Sequence, residues 1–68
     1  SEAEIQCKVD KKAQNKAFDV ECKIKCDEFK KTDPSKDEKK TFKVQMRREK
    51  RAMRTEAHKE YKKCIQEA

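Results

Sequence analysis

Glycine and tryptophan are absent from these 68 residues, and Pro34 is the only proline. Without glycine, the usual phosphate-cradling loops have no residue to make their tight backbone approach. Aromatic residues are 6% of the chain, and no apolar run exceeds two residues. A transmembrane segment is therefore excluded, and a platform for stacking bases is poorly supplied. His58 is the single histidine, and no serine or cysteine stands in a nucleophilic arrangement with it. Asp37 and Glu38 are neighbouring acids with no opposed partner to raise a pKa, and they read as residues that cap or precede the next element. No catalytic residue, cofactor or small-molecule substrate is assigned, and the expectation is a protein that is not an enzyme.

What the chain does have is charge. Charged residues are 50% of it, hydrophobic residues only 32%, and the net charge is +6. A domain of this length buries about 60% of its unfolded surface, so the core must be thin. Four cysteines compensate. An even number in so short a chain implies disulfide staples and an oxidising compartment, and the absence of an apolar leader before Ser1 fits a mature, secreted product. Zinc is the weaker reading, since Cys22 and Cys26 form one ligand pair while His58 and Cys64 lack the matching spacing.

Three stretches alternate between apolar and polar residues. In "AEIQCKV" the apolar set is Ala3, Ile5, Cys7 and Val9; in "FDVECKIKC" it is Phe18, Val20, Cys22, Ile24 and Cys26; in "TFKVQMR" it is Phe42, Val44 and Met46. Period two is the mark of half-buried strands, expected at about 3–9, 18–26 and 41–46. From about 47 to 67 the period lengthens: Met53, Ala57, Tyr61, Cys64 and Ala68 fall at steps of three or four, as in an amphipathic helix. Residues 27–40, with "TDPS" at their centre, read as a long mobile loop.

The expected fold is α+β, a single domain over 1–68 with a three-stranded antiparallel sheet covered by one C-terminal helix. In that register Cys7 pairs with Cys22 and Cys26 with Cys64. The alternative is an all-α helical hairpin. Ile5, Val9, Ala13, Ala17, Val20 and Ile24 also follow a helical stripe, and the lack of glycine suits it. Such a helix, however, places Phe18, Cys22 and Cys26 about 160° from that stripe.

The charge is unevenly spread. Residues 1–34 carry eight lysines and eight acids, whereas residues 35–68 carry twelve basic residues against six acids. Every arginine lies in "QMRREKRAMR": Arg47, Arg48, Arg51 and Arg54. Arg47, Arg51, Arg54, His58 and Lys62 recur at helical steps, and Lys39, Lys40 and Lys43 extend the field. Few acids interleave with them to make stabilising i,i+4 pairs, and arginine's planar fork suits oxyanions. These residues, with His58 read as a boundary residue, form the candidate partner-binding face. The expected protein is a monomeric, toxin- or effector-like binder of an acidic receptor, an ion channel or a sulfated glycan. Nucleic-acid binding and membrane disruption are the alternatives.

Overall fold

A computed structural model describes residues 1–68 as two long helices, α1 over Glu2–Lys31 and α2 over Lys36–Glu67. The expected sheet is overturned. Residues 3–9, 18–26 and 41–46 are helical, and so is most of the expected 27–40 loop. The helical hairpin, held as the alternative, is the observed architecture. The molecule is a rod with principal extents of 50 × 16 × 9 Å.

Local sequence accounts for the helix boundaries. Each helix opens on a serine followed three residues later by glutamate, as in a capping box. The Glu4 amide donates to Ser1 Oγ at 3.3 Å, and the Glu38 amide donates to Ser35 Oγ at 3.2 Å. Acids fill both first turns, Glu2 and Glu4 in one and Asp37 and Glu38 in the other, where the helix dipole favours negative charge. Between the helices only Thr32–Ser35 remain as a turn. Thr32 Oγ1 donates back to the Phe29 carbonyl at 2.7 Å, and Asp33 takes the left-handed conformation at φ 51°. Aspartate is one of the few non-glycine residues that visit this region readily, so it replaces the missing glycine. Pro34 then leads directly into the Ser35 cap.

The helices meet along a stripe with an 11-residue repeat. On α1 the less exposed positions are Cys7, Lys11, Asn15, Phe18, Cys22, Cys26 and Phe29; on α2 they include Phe42, Met46, Glu49, Met53, Ala57, Tyr61 and Cys64. Cys7, Phe18 and Phe29 stand eleven residues apart, as do Phe42, Met53 and Cys64. That repeat corresponds to about 3.67 residues per turn, slightly above the value of a straight helix, and suits a weak right-handed rather than a left-handed supercoil. The core of the seam is very thin. Only Cys7 and Ala57 are fully buried, at 3% and 4% exposure.

Both ends of the seam are fastened. At the turn, Phe29 stacks on Phe42 with ring centroids 4.1 Å apart and planes inclined by 7°. At the open end a disulfide joins Cys7 to Cys64, with Cα atoms 5.8 Å apart, and Cys22 and Cys26 remain free thiols. The expected pairs Cys7–Cys22 and Cys26–Cys64 are both corrected by this. They required a sheet to bring residues 7 and 22 onto neighbouring strands, whereas one continuous helix sets them fifteen residues apart along its axis. Between the clamps, Gln14 Nε2 donates to Glu60 Oε2 at 2.7 Å, and ion pairs join Lys25 to Glu49 at 3.7 Å and Lys50 to Asp19 at 3.9 Å.

Two consequences can be measured. The cross-link spans 57 residues of sequence, and closing a loop of that size stabilises by about 4 kcal/mol in the chain-entropy account. Replacing Cys7 and Cys64 together by serine should lower unfolding free energy by about that much, read from urea titration followed by circular dichroism. Asn15 sits in the seam with its Oδ1 shielded from solvent and without a hydrogen-bond partner. Asn15→Leu should therefore stabilise the hairpin by about 1 kcal/mol or more in the same titration.

Candidate functional site

α2 is one uninterrupted helix through the whole arginine segment, so the basic residues do not mark a strand–helix junction. Built from good helix formers with no glycine or proline, it carries them along its length at steps of three and four. Arg47, Arg51, Arg54, His58 and Lys62 do share one face. They line a shallow cleft of about 580 Å3 together with Lys50, Thr55 and Lys59. No hydrophobic residue and no carboxylate lines it. The run from Arg47 to Lys62 covers about 22 Å of helix at the usual rise.

The remaining expected site residues divide among other surfaces. Arg48 turns aside into a small cleft with Val44, Arg47 and Arg51. Lys39 and Lys43 stand near the turn beside Phe29, Pro34, Phe42 and Met46, in a groove that Arg47 also borders. Lys40 is exposed and belongs to none of these clefts. Sequence reasoning missed Lys50, Thr55 and Lys59. The signal for them was available, since 47, 50, 51, 54, 55, 58, 59 and 62 continue one helical face.

Electrostatics within the cleft is almost wholly of one sign. Lys50 is the one member tied by an ion pair, to Asp19 across the seam. Thr55 Oγ1 donates to the Arg51 carbonyl at 2.9 Å and so holds its hydroxyl against the backbone. His58 lies at the edge where α1 approaches. The Lys11 ammonium is 3.3 Å from His58 Nδ1, which acts as acceptor towards that donor, and the same ammonium lies 4.9 Å above the Tyr61 ring. Lys11 thus adds a further cation beside the histidine. Such a set of cations, of which only Lys50 is paired with a carboxylate, has the chemistry that suits oxyanions.

Cys22 and Cys26 face α2 from successive turns of α1, half-buried in the seam. Burial pushes the Cys22 thiol above its ordinary value, and the neighbouring Asp19 and Cys26 add to the effect. No three of histidine, cysteine, aspartate and glutamate converge as a metal-binding group. No helix is long and apolar enough to cross a membrane.

The raised Cys22 pKa makes a prediction with a definite sign. Its stabilising contribution is complete below the unfolded thiol value of about 8.5 and is lost as pH rises through the higher folded value. In a Cys26→Ala chain, which keeps burial as the leading cause, Cys22 alkylation should have a later pH midpoint than in the urea-unfolded chain. Coincident midpoints would show that the seam does not shield the thiol.

No protein-family model matches this chain, and neither curated proteins nor solved structures provide a match.

Proposed function

We propose that this chain is a non-enzymatic binding module that lays the basic face of α2 along a linear polyanion, first of all the phosphate backbone of a nucleic acid. The observation that carries this reading is the cleft from Arg47 to Lys62, lined by basic residues and Thr55 without a hydrophobic side chain or a carboxylate. Its length favours a ligand with repeated charges over one with a single anionic group. Arginine forks at 47, 51 and 54 suit paired phosphate oxygens, and the lysines add point charges between them. With no aromatic residue in the cleft, recognition would rest on backbone charge and be insensitive to base sequence. The same apolar-free lining disfavours this face of α2 as a part that enters a bilayer.

A second reading is favoured by one specific observation, the Cys7–Cys64 disulfide. Such a bond persists in oxidising compartments, which supports a secreted, effector- or toxin-like protein whose polyanion is a sulfated glycan or an acidic receptor or channel surface. The basic face serves both readings; they differ in where the protein works and which oxyanion it meets.

Binding to duplex DNA and to heparin should be compared across a salt series. For DNA, the logarithm of the binding constant should fall linearly with that of salt concentration. Changing Arg47, Arg51 and Arg54 to Gln should reduce that slope by about three, one per lost phosphate contact. Heparin binding that survives at salt concentrations where DNA is released would select the second reading. Unchanged affinity for both ligands in the triple variant would overturn the cleft as the binding face.

A further inference from the structure

α1 has two apolar faces, and only one meets α2. Cys7, Phe18, Cys22, Cys26 and Phe29 lie in the seam. Ile5, Val9, Val20 and Ile24 lie on the far side, within an arc of about 100° at the helical angle per residue. They are 62%, 51%, 52% and 52% exposed, and they account for four of the five large hydrophobic residues left open to solvent. β-branched aliphatic side chains repeated over five turns of one helix are what a buried helix face contains. Here nothing in the hairpin covers them.

The margins of this stripe carry opposite charge. One edge holds Lys8, Lys12, Lys23 and Lys30; the other holds Asp10, Glu21 and Glu28. None of these seven side chains makes an ion pair within the chain, whose inter-helix pairs use Lys25, Glu49, Lys50 and Asp19 instead. Each acid stands two residues before a lysine of the opposite edge: Asp10 before Lys12, Glu21 before Lys23 and Glu28 before Lys30. Asp19 shares the lysine side but is turned to Lys50 on α2.

We infer that this outer face of α1 is a self-association surface, on which a second copy of the chain packs in parallel, the lysine edge of each α1 against the acidic edge of the other. The orientation follows from symmetry. With the two-fold axis running along the helices, left and right edges exchange, so lysine meets acid on both sides of the stripe. An antiparallel pair would set lysine against lysine and acid against acid. Without an axial shift, each acid and its partner lysine differ in height by about 3 Å, which a lysine stem spans. The arrangement also suits the distribution of net charge. α1 has eight lysines and seven acids, whereas α2 has twelve basic residues and six acids. Pairing through α1 places the nearly neutral helices together and leaves both basic α2 faces outside. Lys16 lies within the apolar stretch, Lys23 at its border, and Asp27 and Lys31 continue the same face towards the turn; these charges keep the association weak. The inference is independent of what α2 binds.

Sedimentation equilibrium of the oxidised chain should show a reversible monomer–dimer equilibrium as concentration is raised from about 10 μM to about 1 mM. Val20→Lys should weaken it at least tenfold, and Lys16→Leu should strengthen it about tenfold by removing the buried charge and adding apolar contact. Both substitutions are on the exposed side of α1, and unchanged helicity by circular dichroism confirms that folding is not the variable. Lys12→Glu with Lys23→Glu tests the orientation. In a parallel pair two of the three acid–lysine contacts on each side then become acid–acid, and association weakens at least tenfold; an antiparallel pair loses lysine–lysine contacts and associates as well or better, which would overturn the parallel assignment. A chain that stays monomeric throughout overturns self-association. Monomeric chain whose binding to anionic lipid vesicles is lost in Val20→Lys overturns it too, and assigns the stripe to a bilayer surface.

Discussion

The bond between Cys7 and Cys64 is the constraint on which the hairpin depends. Two fully buried residues cannot by themselves hold together two helices of about thirty residues, because the apolar area removed from water is too small against the conformational entropy of the chain. The cross-link offsets about 4 kcal/mol of that entropy cost by restricting the unfolded chain. The turn does the same work at the other end, where Thr32, Asp33 and the Ser35 cap set the reversal and Phe29 stacks on Phe42. Cys7 faces Cys64 and Phe29 faces Phe42 at the same sum of residue numbers, so the two clamps enforce one register. Between them the 11-residue repeat returns equivalent positions to the seam. Exposed polar contacts across the seam, such as Gln14 with Glu60, add to the alignment of the helices.

From that register follows the division of labour between the helices. Along α1, acids and lysines nearly cancel, and the few long-range ion pairs reach across to α2. Along α2, positive charge accumulates on a side that has no counter-charge except Asp19 beneath Lys50. Concentrating like charge on a single helix is unfavourable for an isolated peptide, since neighbours three and four residues apart repel. It is tolerable here because α2 is held at both ends by contacts that do not depend on its surface charge. In the proposed function, the repulsion among its side chains would be relieved when an anion neutralises them.

The alternation that pointed to strands has a physical explanation in α1. A helix with apolar residues on opposite faces can mimic period two over short windows. Phe18, Cys22 and Cys26 belong to the inner face while Val20 and Ile24 belong to the outer one, and interleaved they give "FDVECKIKC". Placing the helical hairpin second, because its apolar residues fall on opposite sides of α1, assumes that a helix in a small protein has one apolar face. α1 has two. Better local signals were already present: S-x-x-E at both 1–4 and 35–38, one proline placed just before the second serine, and no glycine for tight strand turns.

By itself, the sequence determined the caps, the turn at 32–35, the helical phase of α2 and the excess of positive charge in the second half, because each depends on residues no more than a few positions apart. The arginine, histidine and lysine face was legible for the same reason, although Lys50, Thr55 and Lys59 were passed over within it. Tertiary structure decided which cysteines pair and which stay thiols, and which apolar face of α1 is covered. Those outcomes depend on residues about sixty positions apart meeting in one register, and neither composition nor local periodicity carries that distance. Only the folded hairpin brings Cys7 to Cys64, sets Lys11 beside His58, and leaves Ile5, Val9, Val20 and Ile24 facing outward.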